Sequence, residues 1–343
     1  MHDLPIKNKY VNQFDIKTYN FEDVQSNSNL HKLVFFIQKH YFRNKENKFY
    51  PQLNNITPYF LSHHASCFVS FFYDKQLLRD KTNNIIENKQ IIGLMTSRPL
   101  HVFLKKETFD VYYVDYLCVD KHQRKRGVAP QIIQTHEYHQ RHHNKNIQVS
   151  LFKREGELTG IVPLCVYNTI CFNMTLIRLQ HTFPASLNLL TLDSQNIHHL
   201  VHFMNTIEHF DMKIYPDMGN LLELVSSKNI KIFMVLDGSD ITAVYVYRKT
   251  CIYIDKSKEI VSCIASIKSD QLSKDLFVSM FEYTLFTIAN KFGYLCIENI
   301  SDNHYILKHF EDRYKSIAMS PCAYFFYNYA YRTLNSNKLL ILH

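Results

Sequence analysis

The chain has 343 residues, 46% apolar and 20% charged, a composition that buries a core and excludes a disordered polymer. Its length suits two domains or one large fused one, and a formal charge of +8, with 19 histidines besides, suits an anionic partner. The cations form no block of five, which speaks against nucleic acid as that partner, and no apolar run reaches about 18 residues, which speaks against stable membrane insertion.

In chain order, the extended run IIGLMTSRPLHVFL (91–104) is followed by a second, VYYVDYLCV (111–119). A helix starting near Pro130 and the strand NIQVSLF (146–152) come next. Inside that helix HEYHQRHH (136–143) puts His136, His139 and His143 on one face. With no cysteine or carboxylate to complete a zinc pattern, it reads as a solvated basic helix end, and no metal site is expected. Further on, KIFMVLDGSDITAVYVYR (231–248) reads as a hairpin turning at Asp237-Gly238. A strand (259–267) follows, then a helix over roughly 271–291 with Leu276, Met280, Phe281, Leu285 and Ile288 on one face, and the strand YLCIENI (294–300). The same order of elements occurs twice. This predicts an α/β protein of two duplicated halves, 1–175 and 176–343. Eight cysteines without a CxxC pair read as reduced thiols of a cytoplasmic protein.

Only the first half carries a cationic glycine turn between its strand and its helix. In YLCVDKHQRKRGVAP (116–130), the strand leaves through Asp120-Lys121 into Arg124, Lys125 and Arg126, and then Gly127 opens a helix. A strand entering a helix through a glycine aims several N–H groups at one point, where the helix adds partial positive charge. Gly127 admits a ligand close to the backbone, and Pro130 suits the first helical turn. The combination fits a pyrophosphate cradle.

Arg124-x-x-Gly127-x-Ala129 resembles the coenzyme A signature of GCN5-related acetyltransferases. The whole segment is similar to F-L-C-V-H-K-K-L-R-S-K-R-V-A-P of the N-myristoyltransferases, with Leu117, Cys118, Val119, Lys121, Arg124, Val128, Ala129 and Pro130 matching at ungapped spacing. Tyr41, Asn47 and Phe49 in YFRNKENKF, Cys165 and Tyr167 in VPLCVYNT, and YFFYNY (324–329) before an apolar tail resemble other family segments in the same order. The resemblance implies two fused acyl-CoA N-acyltransferase halves, with mixed twisted sheet flanked by helices, acting in lipoprotein biosynthesis. Acyl-CoA, myristoyl-CoA or another, would be co-substrate, with no permanently bound cofactor. The acceptor would be a protein or peptide with an N-terminal glycine, and the enzyme a monomer.

By the same resemblance, backbone N–H groups of Tyr116 and Leu117 hold the thioester oxygen, and the carboxylate of His343 deprotonates the amine. Cys118, Val119, Arg124, Lys125, Arg126, Gly127, Val128, Ala129 and Pro130 hold coenzyme A, while Tyr41, Phe49, Tyr167 and Thr169 face the peptide. The departures gather on the acceptor side. Arg43-Asn44-Lys45-Glu46 replaces an acidic run, Ala318-Met319-Ser320 replaces G-D-G, Thr169 replaces a histidine, and an N-terminal covering arm is not expected. An acetyltransferase using a shorter acyl-CoA and a non-catalytic acyl-CoA or peptide-binding module are the alternative readings.

Overall fold

A computed structural model of the protein describes residues 4–25, 29–42, 47–79, 85–105, 107–156, 160–179, 182–254 and 258–343. The run 43–46, with its reversed charge, lies outside them. The first half contains β1 (Ile16–Asn20), α1 (Phe21–Gln25), α2 (Asn29–His40), β2 (Lys48–Phe49), α3 (Leu53–Ile56), β3 (Phe68–Arg79), β4 (Ile85–Leu104), β5 (Glu107–Val119), α4 (Val128–His143), β6 (Val149–Glu155) and β7 (Cys165–Asn173). Then come β8 (Leu187–Thr191), α5 (Ile197–Thr206), β9 (Met212–Tyr215), α6 (Met218–Ser226), β10 (Ile230–Asp237), β11 (Asp240–Ile254), β12 (Lys258–Lys268), α7 (Lys274–Phe286), β13 (Tyr294–Glu298), α8 (Asn303–Arg313), β14 (Ala318–Tyr327) and β15 (Leu339–Ile341). No helix among the described residues is long and apolar enough to cross a membrane.

One twisted sheet runs through the molecule in the order β1-β3-β4-β5-β6-β14-β7-β13-β12-β11-β10-β8. Exchanging β1 with β8, β3 with β10, β4 with β11, β5 with β12, β6 with β13 and β7 with β14 reproduces that order read from the other end. The duplication is therefore a property of the sheet. In each repeat one parallel pair, β5 with β6 and β12 with β13, is bridged by a helix, α4 or α7, because parallel neighbours need a crossover. The last strands are traded at the centre: β7 pairs with β13, and β14 pairs with β6. A division at residue 175 thus marks a repeat along the chain, while the sheet itself stays continuous.

Alternation along each strand feeds both faces. In the first half Leu33, Phe36 and Ile37 of α2 cover Phe71, Leu94 and Cys118, while Val128 and Ile132 of α4 cover Ile16, Phe72, Ile92 and Met95. In the second, Phe277 and Phe281 of α7 pack on Tyr245 and Tyr247, and Leu221 and Leu224 of α6 on Val244 and Val246. The helix expected over 271–291 is shorter, starting at Lys274 after Ser273, whose Oγ accepts the Leu276 N–H at 3.2 Å. The apolar tail is packed: Leu339, Leu340, Ile341 and Leu342 are buried, with β15 beside β9, which in turn pairs with β4.

One expectation fails in α4. The stretch 136–143 is not a solvated helix end, because His136, Glu137, Gln140 and Arg141 are buried and only the last turn is exposed. The reason is tertiary: Ser70 Oγ and Ser97 Oγ each stand 2.8 Å from a ring nitrogen of His136, so the sheet supplies its polar partners. The helix also starts two residues earlier than Pro130, at Val128, with Gly127 before it at φ 76°. Gly93 of β4 sets its height over the sheet, since a Cβ there would lie 2.3 Å from Ile132 Cδ1. Gly93→Ala is expected to lift α4 and destabilise the fold by about 1–3 kcal/mol in urea unfolding followed by circular dichroism.

Candidate active site

The sheet opens at Asp115. Parallel pairing of β5 with β6 covers only Val111–Val114 against Val149–Phe152, after which β6 stays with β14 and β5 continues alone on that side. At the same point β5 bulges against β4. Met95 faces Leu117 and Ser97 faces Val114, so Asp115 and Tyr116 oppose Thr96 alone. The Tyr116 N–H donates to Thr96 Oγ1 at 3.2 Å, and Leu117 is 39% exposed.

A cavity of about 290 Å³ lies at this opening, with Tyr41, Phe49, Tyr116, Arg248, Cys251 and His343 among its walls. Tyr41 meets Tyr116 edge-on at 5.5 Å and Phe49 at 5.1 Å. Phe49 is held across the gap because β2 pairs with β11, Ile252 opposite Phe49. His343, the last residue, is only 4% exposed. Its ring lies 4.3 Å from that of Tyr113, and its Nε2 shares a 2.6 Å hydrogen bond with the Tyr324 hydroxyl. Burial, and then the cations Arg248, Arg98 and Lys153, hold the imidazole well below its ordinary 6.5, so it is neutral at neutral pH.

Charges buried behind the wall fix it. Glu298 accepts from Lys153 at 3.0 Å, from Arg248 at 3.4 Å and from the Tyr167 hydroxyl at 2.7 Å. Arg98, fully buried, donates through Nε to Asp115 at 2.9 Å and lies over the rings of Tyr59 and Tyr113. Burial raises the Asp115 carboxyl despite that guanidinium.

The sequence-nominated residues fall into three places. Tyr41, Phe49, Tyr116 and His343 meet at the cavity. Tyr167 and Thr169 are not among its walls. Tyr167 stacks on Tyr324 at 5.8 Å, one layer behind His343, and Thr169 Oγ1 sits 3.3 Å from Cys322 Sγ.

The third group forms the turn into α4. Lys125, Arg126 and Gly127 are exposed there, Ala129 is half-buried and Pro130 is exposed. Arg124 instead clamps the turn, donating to the His40 carbonyl at 2.5 Å and the Val119 carbonyl at 3.4 Å. Cys118 points into the packing under α2, where burial pushes its thiol up to about 12. Val119 and Val128 pack beneath α4. Sequence reasoning missed Arg98, Asp115, Lys153, Arg248 and Glu298. The available signal was a charge within an apolar strand, which is rare unless it is paired.

The fold is that of tandem N-acyltransferases. A tandem GNAT protein from the clavulanic acid biosynthesis pathway (without AcCoA) aligns at a TM-score of 0.56 with 7% identity, over 91% of this chain and 98% of that one. Saccharomyces cerevisiae N-myristoyltransferase with bound myristoyl-CoA aligns at 0.73 with 11% identity, over 98% and 87%. A second structure of that enzyme, with bound myristoyl-CoA and inhibitors, gives 0.74 and 12% over 96% and 84%. No curated protein matches. Residues 6–165 match the family model described as Myristoyl-CoA:protein N-myristoyltransferase, N-terminal domain. Through that match the first half of the chain is similar to the N-terminal domain of the N-myristoyltransferases, and the likeness of the whole chain to the solved structures is one of fold.

Glu298→Gln would remove the carboxylate that Arg248 and Lys153 share, leaving Lys153 only the exposed Glu155 at 3.6 Å, at an expected cost of about 3–5 kcal/mol in chemical unfolding. Burial alone would raise the Glu298 carboxyl, but Lys153 and Arg248 outweigh it and hold it below its ordinary 4.5. A depressed folded-state value contributes stability above about pH 4.5, lost as pH falls through the folded value. The wild type should therefore lose stability on acidification from pH 5 to pH 3 more steeply than the Gln variant.

Proposed function

We propose that this protein transfers a fatty acyl group from a coenzyme A thioester to the amine of an N-terminal glycine. The first half would hold the acyl-CoA, and the acceptor would enter between the halves. The observation that carries this reading is the cavity at the opening of β5, where Tyr116 and the buried His343 both stand in the wall. A carboxylate costs free energy in such a place unless it is used or paired. An α-amino group titrates near ~7.7–8.0, so a terminal carboxylate is base enough to take its proton as the amine attacks. The thioester carbonyl carbon gains the new C–N bond, and coenzyme A leaves as thiolate and takes a proton. Donors for the thioester oxygen would come from the main chain at Tyr116 and Leu117. The Tyr116 N–H already has an acceptor in Thr96 Oγ1, and a developing oxyanion would have to displace it or share the donor.

Coenzyme A would lie at the turn before α4. Gly127, with Lys125 and Arg126 exposed around it, is supported as the diphosphate-facing position. Arg124, Cys118, Val119 and Val128 are read as shaping the turn from behind. On the acceptor side, Lys153, Arg248 and Lys249 stand in the cavity wall with Asp115 and Glu155, a mixed surface where an acidic one would suit a basic peptide. Ala318 and Met319 are exposed at the start of β14 in place of an acidic motif. The acceptor proposed is therefore a glycine-initiated chain poor in lysine and arginine. Tyr41 and Phe49 would flank its first residues.

The test is incubation with coenzyme A thioesters of two to sixteen carbons and glycine-initiated peptides of varied charge, with release of thiol followed. Burial at about 0.8 kcal/mol per CH₂ predicts affinity rising with chain length, whereas an acetyltransferase would favour the two-carbon donor. One extra residue after His343 should lower turnover by about 10²–10⁴-fold, and unchanged turnover would refute the carboxylate as base. In Gly127→Asp a Cβ meets nothing within 4 Å, and the left-handed φ of 76° costs a side chain there about 1–2 kcal/mol, least for Asp and Asn. The fold should survive, while acyl-CoA binding, measured by calorimetry, should be lost to the negative charge set against the phosphates.

A further inference from the structure

A second polar cluster stands apart from the cavity and from the acyl-CoA turn. It gathers His63 and His64, which follow a turn at residues 57–60, with His101 of β4, Asp110 of β5 and Asp217 just before α6. Asp217 occupies the capping position of α6 yet makes no capping hydrogen bond. Its Oδ2 lies 2.8 Å from His64 Nδ1 and 3.4 Å from His63 Nδ1, and its Oδ1 lies 3.1 Å from His101 Nε2. The rings of His64 and His101 are stacked at 4.5 Å.

The far side of each ring indicates where its proton sits. His63 Nε2 is 3.0 Å from the Tyr59 carbonyl, which only accepts, so this nitrogen carries the hydrogen and Nδ1 presents a lone pair. That Nδ1 is buried, in a side chain 2% exposed, and has no hydrogen-bond partner among the described residues. A lone pair aimed at a carboxylate oxygen is unfavourable unless a proton or a metal ion lies between them. His64 Nε2 and His101 Nδ1 face the two oxygens of Asp110 at 3.0 and 2.7 Å. Three imidazoles thus turn one nitrogen outward to an oxygen acceptor and the other inward to Asp217. Metal-ligating histidines are oriented in this way.

We propose that His64, His101 and Asp217 bind a divalent metal ion of the zinc class, with Asp110 orienting both rings and the Tyr59 carbonyl holding His63 beside the carboxylate. Two imidazoles and one carboxylate whose ligand atoms lie within 4.8 Å of one another suit zinc, whose ~2.0–2.1 Å bonds set ligand atoms about 3.3 Å apart. Asp217 stands 2.8 Å from His64 and 3.1 Å from His101, close to that value. Three protein ligands leave a fourth position to a further donor. The ion would tie the β4–β5 hairpin to α6. Side chains of His64 and His101 about 30% exposed leave the ion a path in from solvent.

The full-length protein, stripped with chelator and dialysed, is titrated with Co²⁺ and with Zn²⁺ alone. One saturable site is expected, with the visible absorption of tetrahedral cobalt, displaced by zinc. Asp217→Asn or His101→Gln should weaken it by more than about 100-fold, and Asp110→Asn by about 10–100-fold, while His142→Ala should not change it. Absence of saturable binding, as in a cage of protonated histidines, overturns the proposal, as does affinity unaltered by His101→Gln and Asp217→Asn. If those variants fail to fold, anomalous diffraction at the zinc edge from wild-type crystals decides, by density beside Asp217 or its absence. Neither readout involves acyl transfer, so the outcome is independent of the proposed reaction.

Discussion

The exchange of β7 and β14 at the centre of the sheet is the constraint on which the rest depends. A strand has two edges, and β14 takes the outer edge of β6 while β5 leaves the inner one after Val114. The opening lies between β5 and β6, and a strand from the far end of the chain, β14, backs β6 on its other edge. From β14 the chain has only a short way to run before β15 docks on β9, and β9 is joined to β4 beside the same opening. Chain connectivity in the second half thus delivers His343 to the splayed strand of the first.

The cost of that arrangement is a set of charges held away from water. Glu298 on β13 is satisfied by Lys153 on β6, Arg248 on β11 and Tyr167 on β7, so one carboxylate binds strands from both repeats. Arg98 and Asp115 join β4 to β5 within the first repeat, at the bulge. Buried pairs of this kind add little net stability over apolar packing but penalise any register in which one partner is missing. They explain how an open, partly polar cavity keeps its shape among strands that no longer pair. The histidine cluster around Asp217 lies apart from the cavity, where His63 and His64 meet the start of α6.

The division between the two sides of the site follows the same logic. The turn into α4 is local: Gly127, its cations and the helix start lie within a few residues, and Arg124 anchors the turn to the end of α2. The cavity proposed for the acceptor is assembled from β2, β5, β6, β11 and His343, which lie far apart along the chain.

What the amino-acid sequence determined by itself was local and periodic. The apolar runs of β4, β5, β12 and β13 and the hairpin of β10 and β11 were legible because strand alternation and turn chemistry act over a few residues. So were the glycine turn at 127 and the apolar tail. Only the tertiary structure decided that β7 and β14 change places, that His136 is buried between two serines, and that Tyr167 and Thr169 stand behind the cavity. The same holds for the Glu298 network and for the convergence of His63, His64, His101 and Asp217. These depend on pairings between residues tens to hundreds of positions apart, and nothing in a side chain's own neighbourhood along the chain encodes the distance to its partner across a sheet.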